Sequence, residues 1–265
     1  MKNIILFKFH KDPLVCKNKL DILRKYNPGL EIFGLYGGEV KKLDEMKKML
    51  GSYLKDIYSI QDKTPEWKWK NGDLSVAEWY KKVGKNVEFD SLFVIEWDLL
   101  ILEPLEKTYE HVSENSVALT GLRPLKGLEG KWDWITEEPQ AGEWRRLLAF
   151  VEDKYDYDKE PLASLGPGSL FPREFLERYS SENIPELAHE ELRLPLFAQV
   201  FGFSVVDTKF YKKWFDDEEQ RYFNCLEKEI DEKLIVSEIK KSNGRRVFHP
   251  FTKVFGITNL RNGAQ

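Results

Sequence analysis

Positions 92–102 read LFVIEWDLLIL, with two carboxylates one residue apart inside an otherwise apolar run. Burying a carboxylate costs several kcal/mol, or raises its pKa until it is neutral, unless a cation or hydrogen-bond donors meet it. Residues i and i+2 of a strand face the same side, so Glu96 and Asp98 can address one site. A solvated pair on an edge strand is the simplest account of an isolated E-x-D, but the flanks LFVI and LLIL read as buried. A hard divalent cation resolves the conflict. Mg2+ or Mn2+ takes few protein carboxylates and completes its shell with other oxygens, such as those of a diphosphate. The expectation is a strand ending near Ile95, with the chain kinking through Glu96 to aim Asp98 past the carboxyl end of a sheet, where open α/β sheets bind ligands.

The elements that must position this pair alternate. NIILFKF predicts a buried strand, followed by a helical pattern over residues 14–26 and the stop signal NPG. EIFGLYGG predicts a second strand, EVKKLDEMKKML an amphipathic helix and KDIYSI a weak third strand. Residues 61–74 read as a loop, with Ser75 as N-cap of a helix through AEWYKKVG. Beyond the acidic strand come PLEKTYEHV, a strand SVALTGL, and a stretch from Pro124 to Pro139 rich in Gly, Trp and charge that reads as an insertion or lid. A helix covers roughly 142–154, and PLASLGPGSLFPREFLERY reads as a strand, a glycine-rich turn and a helix. NIPELAHEELRLPLFAQVFGF reads as helical, with Pro185 in a first turn and Pro195 forcing a break or second start. SVVD, a charged helical region and a tail carrying FHPFTK follow. Strand–helix–strand alternation implies parallel pairing with right-handed crossovers. With no repeats or low-complexity linker, residues 1–265 read as one α/β domain.

Composition narrows the function classes. Lysine and arginine number 41 against 45 acids, a net charge of -4 that gives no case for general nucleic-acid binding. Cys16 and Cys225 have no paired spacing, which disfavours a disulfide framework or a cysteine zinc site and fits a reducing compartment. The apolar stretch of MKNIILFKFH is only IILF and no small-residue cleavage site follows, so it reads as a strand rather than an export signal. No run approaches the ~18 apolar residues that span a bilayer, and a soluble, cytoplasmic protein is expected. The eight tryptophans suit either core filling or flat sugar-binding faces.

A first strand and helix, a second strand ending LYGG, and an acidic triplet flanked by apolar runs resemble the nucleotide-sugar-dependent glycosyltransferases of the GT-A fold. By layout the resemblance covers most of the chain. It implies a Rossmann-like three-layer sandwich around a mixed, mostly parallel sheet. It further implies a nucleotide-binding half (about 1–103), an acceptor-binding half (about 104–265), and transfer of a sugar from a nucleotide-diphosphate sugar to a hydroxyl of a saccharide or other acceptor. The D-x-D motif of that family is Glu96-Trp97-Asp98 here, Glu replacing the first Asp. The last acid, Asp98, would contact Mn2+ or Mg2+, and Glu96 would bind the metal, a ribose or a water. A late histidine reaches the metal in many such enzymes, which points to His249 of FHPFTK, with Lys253 neutralising phosphate.

Inverting members carry an acidic pair on a helix behind the acceptor. HEELRLP is similar to that segment and offers Glu190 or Glu191 as base. The two lie ~100° apart on a helix, so at most one is expected to point into the site, with Glu190 slightly favoured. By position in the fold, Lys8, His10, Tyr36, Gly37, Gly38, Asp73 and Trp97 would line the nucleotide. Gly166, Pro167 and Gly168 would let backbone approach sugar or phosphate.

Other classes fit less well. A sugar-phosphate nucleotidyltransferase is expected to show G-G-x-G-x-R near the first strand, where this chain has FKFHKDP, and a Rossmann dehydrogenase needs G-x-G-x-x-G, which is missing. A non-catalytic nucleotide-sugar-binding protein or scaffold of the same fold is the remaining alternative.

Overall fold

The computed structural model describes residues 2–226 and 228–256. Its strands are β1 (Asn3–Phe9), β2 (Glu31–Tyr36), β3 (Ile57–Tyr58), β4 (Ser91–Glu96), β5 (Leu100–Ile101), β6 (Ser116–Pro124), β7 (Leu162–Pro172), β8 (Ser204–Asp207) and β9 (Val247–Phe248). The first five helices are α1 (Pro13–Tyr26), α2 (Leu43–Leu50), α3 (Pro65–Lys70), α4 (Gly72–Lys82) and α5 (Leu105–Thr108). Six follow: α6 (Asp133–Thr136), α7 (Gln140–Tyr155), α8 (Arg173–Ser181), α9 (Glu190–Val200), α10 (Asp217–Gln220) and α11 (Glu232–Ile239).

Seven strands form one sheet in the order β3-β2-β1-β4-β7-β6-β8. Only β7 runs against its neighbours β4 and β6, and the other pairs are parallel. Successive residues of β1 and β4 are buried, as expected of strands covered on both faces. Helices supply that cover: α1 packs on α2, while α4 packs on α8 and α9, and α9 lies on β7 and β8. This is the three-layer α/β sandwich with a mixed, mostly parallel sheet that the sequence implied. None of its helices is long and apolar enough to cross a membrane, among the described residues.

Four local expectations are corrected. Residues 61–74 are not a loop: Thr64 caps α3 by accepting a hydrogen bond from the Trp67 amide at 3.2 Å, with Pro65 at the first helical position. Ser75 lies inside α4, where its hydroxyl donates back to the Asn71 carbonyl at 3.0 Å, so it is not the cap. The segment before Glu190 is irregular, and Pro195 sits within α9 without breaking it. GPG is not a turn at the end of a strand but a bulge within β7. Between Ala118↔Leu170 and Thr120↔Leu165, β6 advances two residues and β7 five.

The short β5–β9 ladder explains how a distant tail reaches the sheet. Leu100 and Leu102 share a second small core with Ile22 of α1 and with Phe248, Phe251 and Phe255. Burying one such phenylalanine contributes about 1.5–3 kcal/mol. The antiparallel register Leu100↔Phe248, continued by the Phe251 amide donating to the Asp98 carbonyl at 2.8 Å, sets the FHPF segment against Asp98.

Candidate active site

β4 ends at Glu96, one residue later than expected, and Trp97-Asp98 turns away from the sheet. His249 Nε2 lies 3.6 Å from Asp98 Oδ2, and His249 Nδ1 lies 2.7 Å from the Asn224 carbonyl. A carbonyl only accepts, so Nδ1 carries a proton and Nε2 is the nitrogen turned to the carboxylate. Burial opposes charge on both groups, yet each outweighs it for the other. Asp98 is held below the usual carboxylate range and His249 well above the usual histidine range. A carboxylate beside an imidazole whose second nitrogen is tied to backbone is a donor set that suits Mn2+ or Mg2+. Among the described residues, no three His, Cys, Asp or Glu side chains form a group that could hold a metal ion.

Glu96 is occupied differently. It is the register partner of Lys8 on β1, whose Nζ lies 3.3 Å from Glu96 Oε1 and 3.6 Å from Glu190 Oε1. Glu96 Oε2 accepts from the Gly168 amide at 2.8 Å. Burial pushes Glu96 up, with Lys8 and the Gly168 amide opposing. Burial alone would lower Lys8, but Glu190 and Glu96 raise it above the ordinary lysine range. Gly72, the first residue of α4, makes room for this contact. A Cβ there would lie 2.3 Å from Glu190 Oε2 and 2.6 Å from Lys8 Nζ.

Glu191 also reaches Gly166. Its Oε1 accepts from the Gly166 amide at 3.0 Å and its Oε2 from Trp134 Nε1 at 2.9 Å. Burial pushes Glu191 up to about 7 and Glu190 up to about 8. An ideal Cβ on Gly166 would lie 3.4 Å from Glu190 Oε1 and 3.9 Å from Glu191 Oε1, so both carboxyls converge there. The expectation that helical geometry admits only one is corrected. At the first turn of a helix both side chains reach back past its N-terminus.

The start of α9 is fixed by two devices. Pro195 has no N–H to give the Glu191 carbonyl, and the Ser164 hydroxyl of β7 donates to that carbonyl instead, at 3.2 Å. The buried Arg193 guanidinium uses all five N–H donors. Nε and Nη2 reach Asp73 at 2.6 and 2.5 Å, Nη2 also reaches Asn71 Oδ1 at 2.9 Å, and Nη1 reaches the Leu187 and Ala188 carbonyls at 2.9 and 3.0 Å. Tyr179 of α8 donates its hydroxyl to the same Asp73 carboxylate. Asp73 is therefore enclosed within α4, α8 and α9, and its carboxylate is spent on Arg193 and Tyr179 rather than turned to a ligand.

The other sequence candidates are scattered. The ring of His10 meets Trp97 edge-on at 5.5 Å, one strand end from Asp98. Tyr36 is buried with its hydroxyl unpartnered, Gly37 donates its amide to the Phe9 carbonyl, and the Gly38 carbonyl accepts from Lys68 Nζ at 3.4 Å. Lys253 is exposed, and its carbonyl accepts from Lys19 Nζ. Gly166 and Gly168 offer their amides to Glu191 and Glu96, with Pro167 between them carrying none.

No family model and no curated protein matches the sequence. By structure the chain is similar to a mannosyltransferase from Pyrobaculum calidifontis in complex with GDP-Man and Mn2+, at TM-score 0.45 and 9% identity, covering 78% of this chain and 54% of that one. It is similar also to a cytidylyltransferase from Leptospira borgpetersenii, at TM-score 0.44 and 10% identity, covering 82% of this chain and 78% of that one. For an active-site mutant of LgtC the TM-score is 0.38 at 11% identity, covering 69% and 60%. The chain thus spans about half the length of the first of these proteins. Likenesses this distant carry nothing about chemistry.

The site also contains residues the sequence did not announce: Arg193, His189, Trp134 and Gly72. Only the W-x-W of residues 132–134, within a segment read as a possible lid, carried any signal.

Proposed function

We propose that the chain is a glycosyltransferase that moves a sugar from a nucleotide-diphosphate donor to an acceptor hydroxyl. One observation carries the reading: an acid–imidazole pair suited to a divalent metal and two carboxyls raised toward neutrality stand around a single strand end. Four carboxyls, buried Glu190 and Glu191 and half-buried Glu96 and Asp98, meet two basic partners there, Lys8 and His249. Such a site favours a dication. Asp98 Oδ2 and His249 Nε2, the latter after giving up its proton, would hold the metal, which when bound supplies Lewis-acid stabilisation of a leaving diphosphate. Glu96 holds Lys8 in place rather than joining the metal. Donor contacts then fall mainly in residues 1–103 and acceptor contacts in 104–265, with His249 crossing over.

Of the two candidate bases, Glu191 fits better. Glu190 is engaged by Lys8, whereas Glu191 is oriented by two neutral donors and has a pKa matched to taking a proton near neutrality. Its carboxylate would accept the acceptor's hydroxyl proton as the new glycosidic bond forms.

The test is a thermal-shift screen of UDP-, GDP- and dTDP-sugars, each with Mn2+ and again with EDTA. One donor should raise the melting temperature only with metal, and Asp98→Ala should abolish that shift. A metal-indifferent shift, or an undiminished one in Asp98→Ala, refutes the reading and favours a non-catalytic binder.

A further inference from the structure

Most of the aromatic surface beside Glu191 is partly buried, but Trp69 of α3 is 63% exposed. A single exposed aromatic needs no explanation by itself. Trp69, however, caps a built stack. Trp134 and His189 lie face to face, with centroids 4.2 Å apart and planes 8° from parallel. Trp69 stands 5.1 Å from His189 and 6.0 Å from Trp134, tilted by 57° and 49°. The same Trp134 donates its indole N–H to Glu191 Oε2. The exposed ring is therefore one aromatic contact from the carboxylate assigned as base.

Two further observations point to a ligand. His189 Nδ1 lies 3.4 Å from the Glu191 amide and accepts from it, so Nε2 carries the proton, yet that buried Nε2 has no hydrogen-bond partner among the described residues. A buried donor left unsatisfied is costly, and a ligand hydroxyl entering beside the stack would recover it. The backbone beneath Trp69 is also tied down. Lys70 Nζ pairs with Glu143 Oε2 at 2.6 Å, that oxygen accepts from the Ala188 amide at 3.1 Å, and Trp67 Nε1 donates to Glu186 at 2.7 Å. A flat apolar face held rigidly beside polar groups suits a pyranose, whose C–H face is apolar and whose rim carries hydroxyls.

We infer that the Trp69 ring is the platform for a pyranose unit of the acceptor, which lies on the indole with one hydroxyl turned to Glu191. This rests on the glycosyl-transfer reading for its role, but the binding itself is measurable without donor, metal or turnover. The platform selects acceptors with a sugar ring over open-chain alcohols or peptide hydroxyls.

The probes are the methyl α- and β-pyranosides of glucose, galactose and mannose, with glycerol as a ring-free control. Binding to the full chain is followed by saturation-transfer difference NMR and by quenching of tryptophan fluorescence. At least one glycoside should bind saturably with its ring C–H protons most strongly saturated, and glycerol should not. Trp69→Ala should weaken that glycoside by about tenfold or more, the loss of roughly 1.4 kcal/mol. Trp69→Phe should retain most of the affinity, and Mn2+-dependent donor binding should be the same in both variants. Equal glycoside binding by wild type and Trp69→Ala, or no saturable binding by any of the six, overturns the platform. Glycoside binding through Trp69 in a chain that binds no nucleotide sugar supports the platform and refutes glycosyl transfer.

Discussion

Replacing Asp73 by alanine separates its enclosed role from a ligand-facing one. In Asp73→Ala the Arg193 guanidinium loses its hydrogen-bonded carboxylate partner and the Tyr179 hydroxyl its acceptor, while Arg193 stays buried. Breaking a buried pair by removing one partner costs about 3–5 kcal/mol, because the remaining charge is left uncompensated. Melting temperature shifts by about 2–4 °C per kcal/mol in a chain of this size, so a drop of roughly 6–20 °C is expected. The pH dependence has a definite sign. Burial would raise the Asp73 pKa, but Arg193 and Tyr179 hold it below the usual value. Its contribution is thus fully present above about pH 4 and is lost as pH falls through the lower folded value. The wild-type advantage should therefore be flat from about pH 5 to 8 and shrink only in acid. Circular-dichroism melts from about pH 2 to 8 measure both effects. A loss below about 1 kcal/mol, or an unchanged melt with selective loss of nucleotide affinity, would refute the buried-pair account and restore Asp73 to the nucleoside.

The remaining predictions concern turnover. Gly72→Ala pushes a methyl into the Lys8–Glu190 contact while improving helix propensity. The melt should hold while kcat falls by about tenfold or more, and a normal kcat would show that the contact is not needed. Glu191 acts as a base only when ionised, so kcat/KM should rise with pH up to about 7 and then level off. Glu191→Gln should lose about 10²–10⁴ in kcat and lose that limb of the profile; an unchanged limb assigns it to another group.

The fold was legible where pattern and period agree. Apolar β1, β2 and β4 punctuated by Gly, Pro and Asn gave their strands, and the polar break at 96–98 marked where β4 ends. The approach of His249 to Asp98 was expected from the family resemblance, and only the contact itself is seen. What could not be read depends on pairs far apart in sequence. Arg193 resembles any helical surface arginine until Asp73 and Asn71 are brought to it from 120 residues away. The bulge in β7 was hidden for a similar reason: GPG is equally at home in a turn, and only pairing with β6 shows the strand continuing past it. Pro195 misled because its missing N–H looked like a helix stop, whereas Ser164 supplies the donor from another element.

That bulge also acts as a gauge. Glu96, beside the Asp98–His249 pair, and Glu191, beside Trp134, hang from amides of Gly168 and Gly166, two residues apart on one strand. The intervening Pro167 offers no N–H to compete for either acid. The spacing between the two halves of the site is thus metered by a count of peptide units, about 7 Å if extended, and not by side-chain size. Thr120 pins the Gly168 carbonyl from β6, and Gly168 itself holds a φ of 76° that favours glycine. Adding or deleting one residue here would put the Glu96 and Glu191 sides of the site out of step while leaving every side chain of the site in the chain.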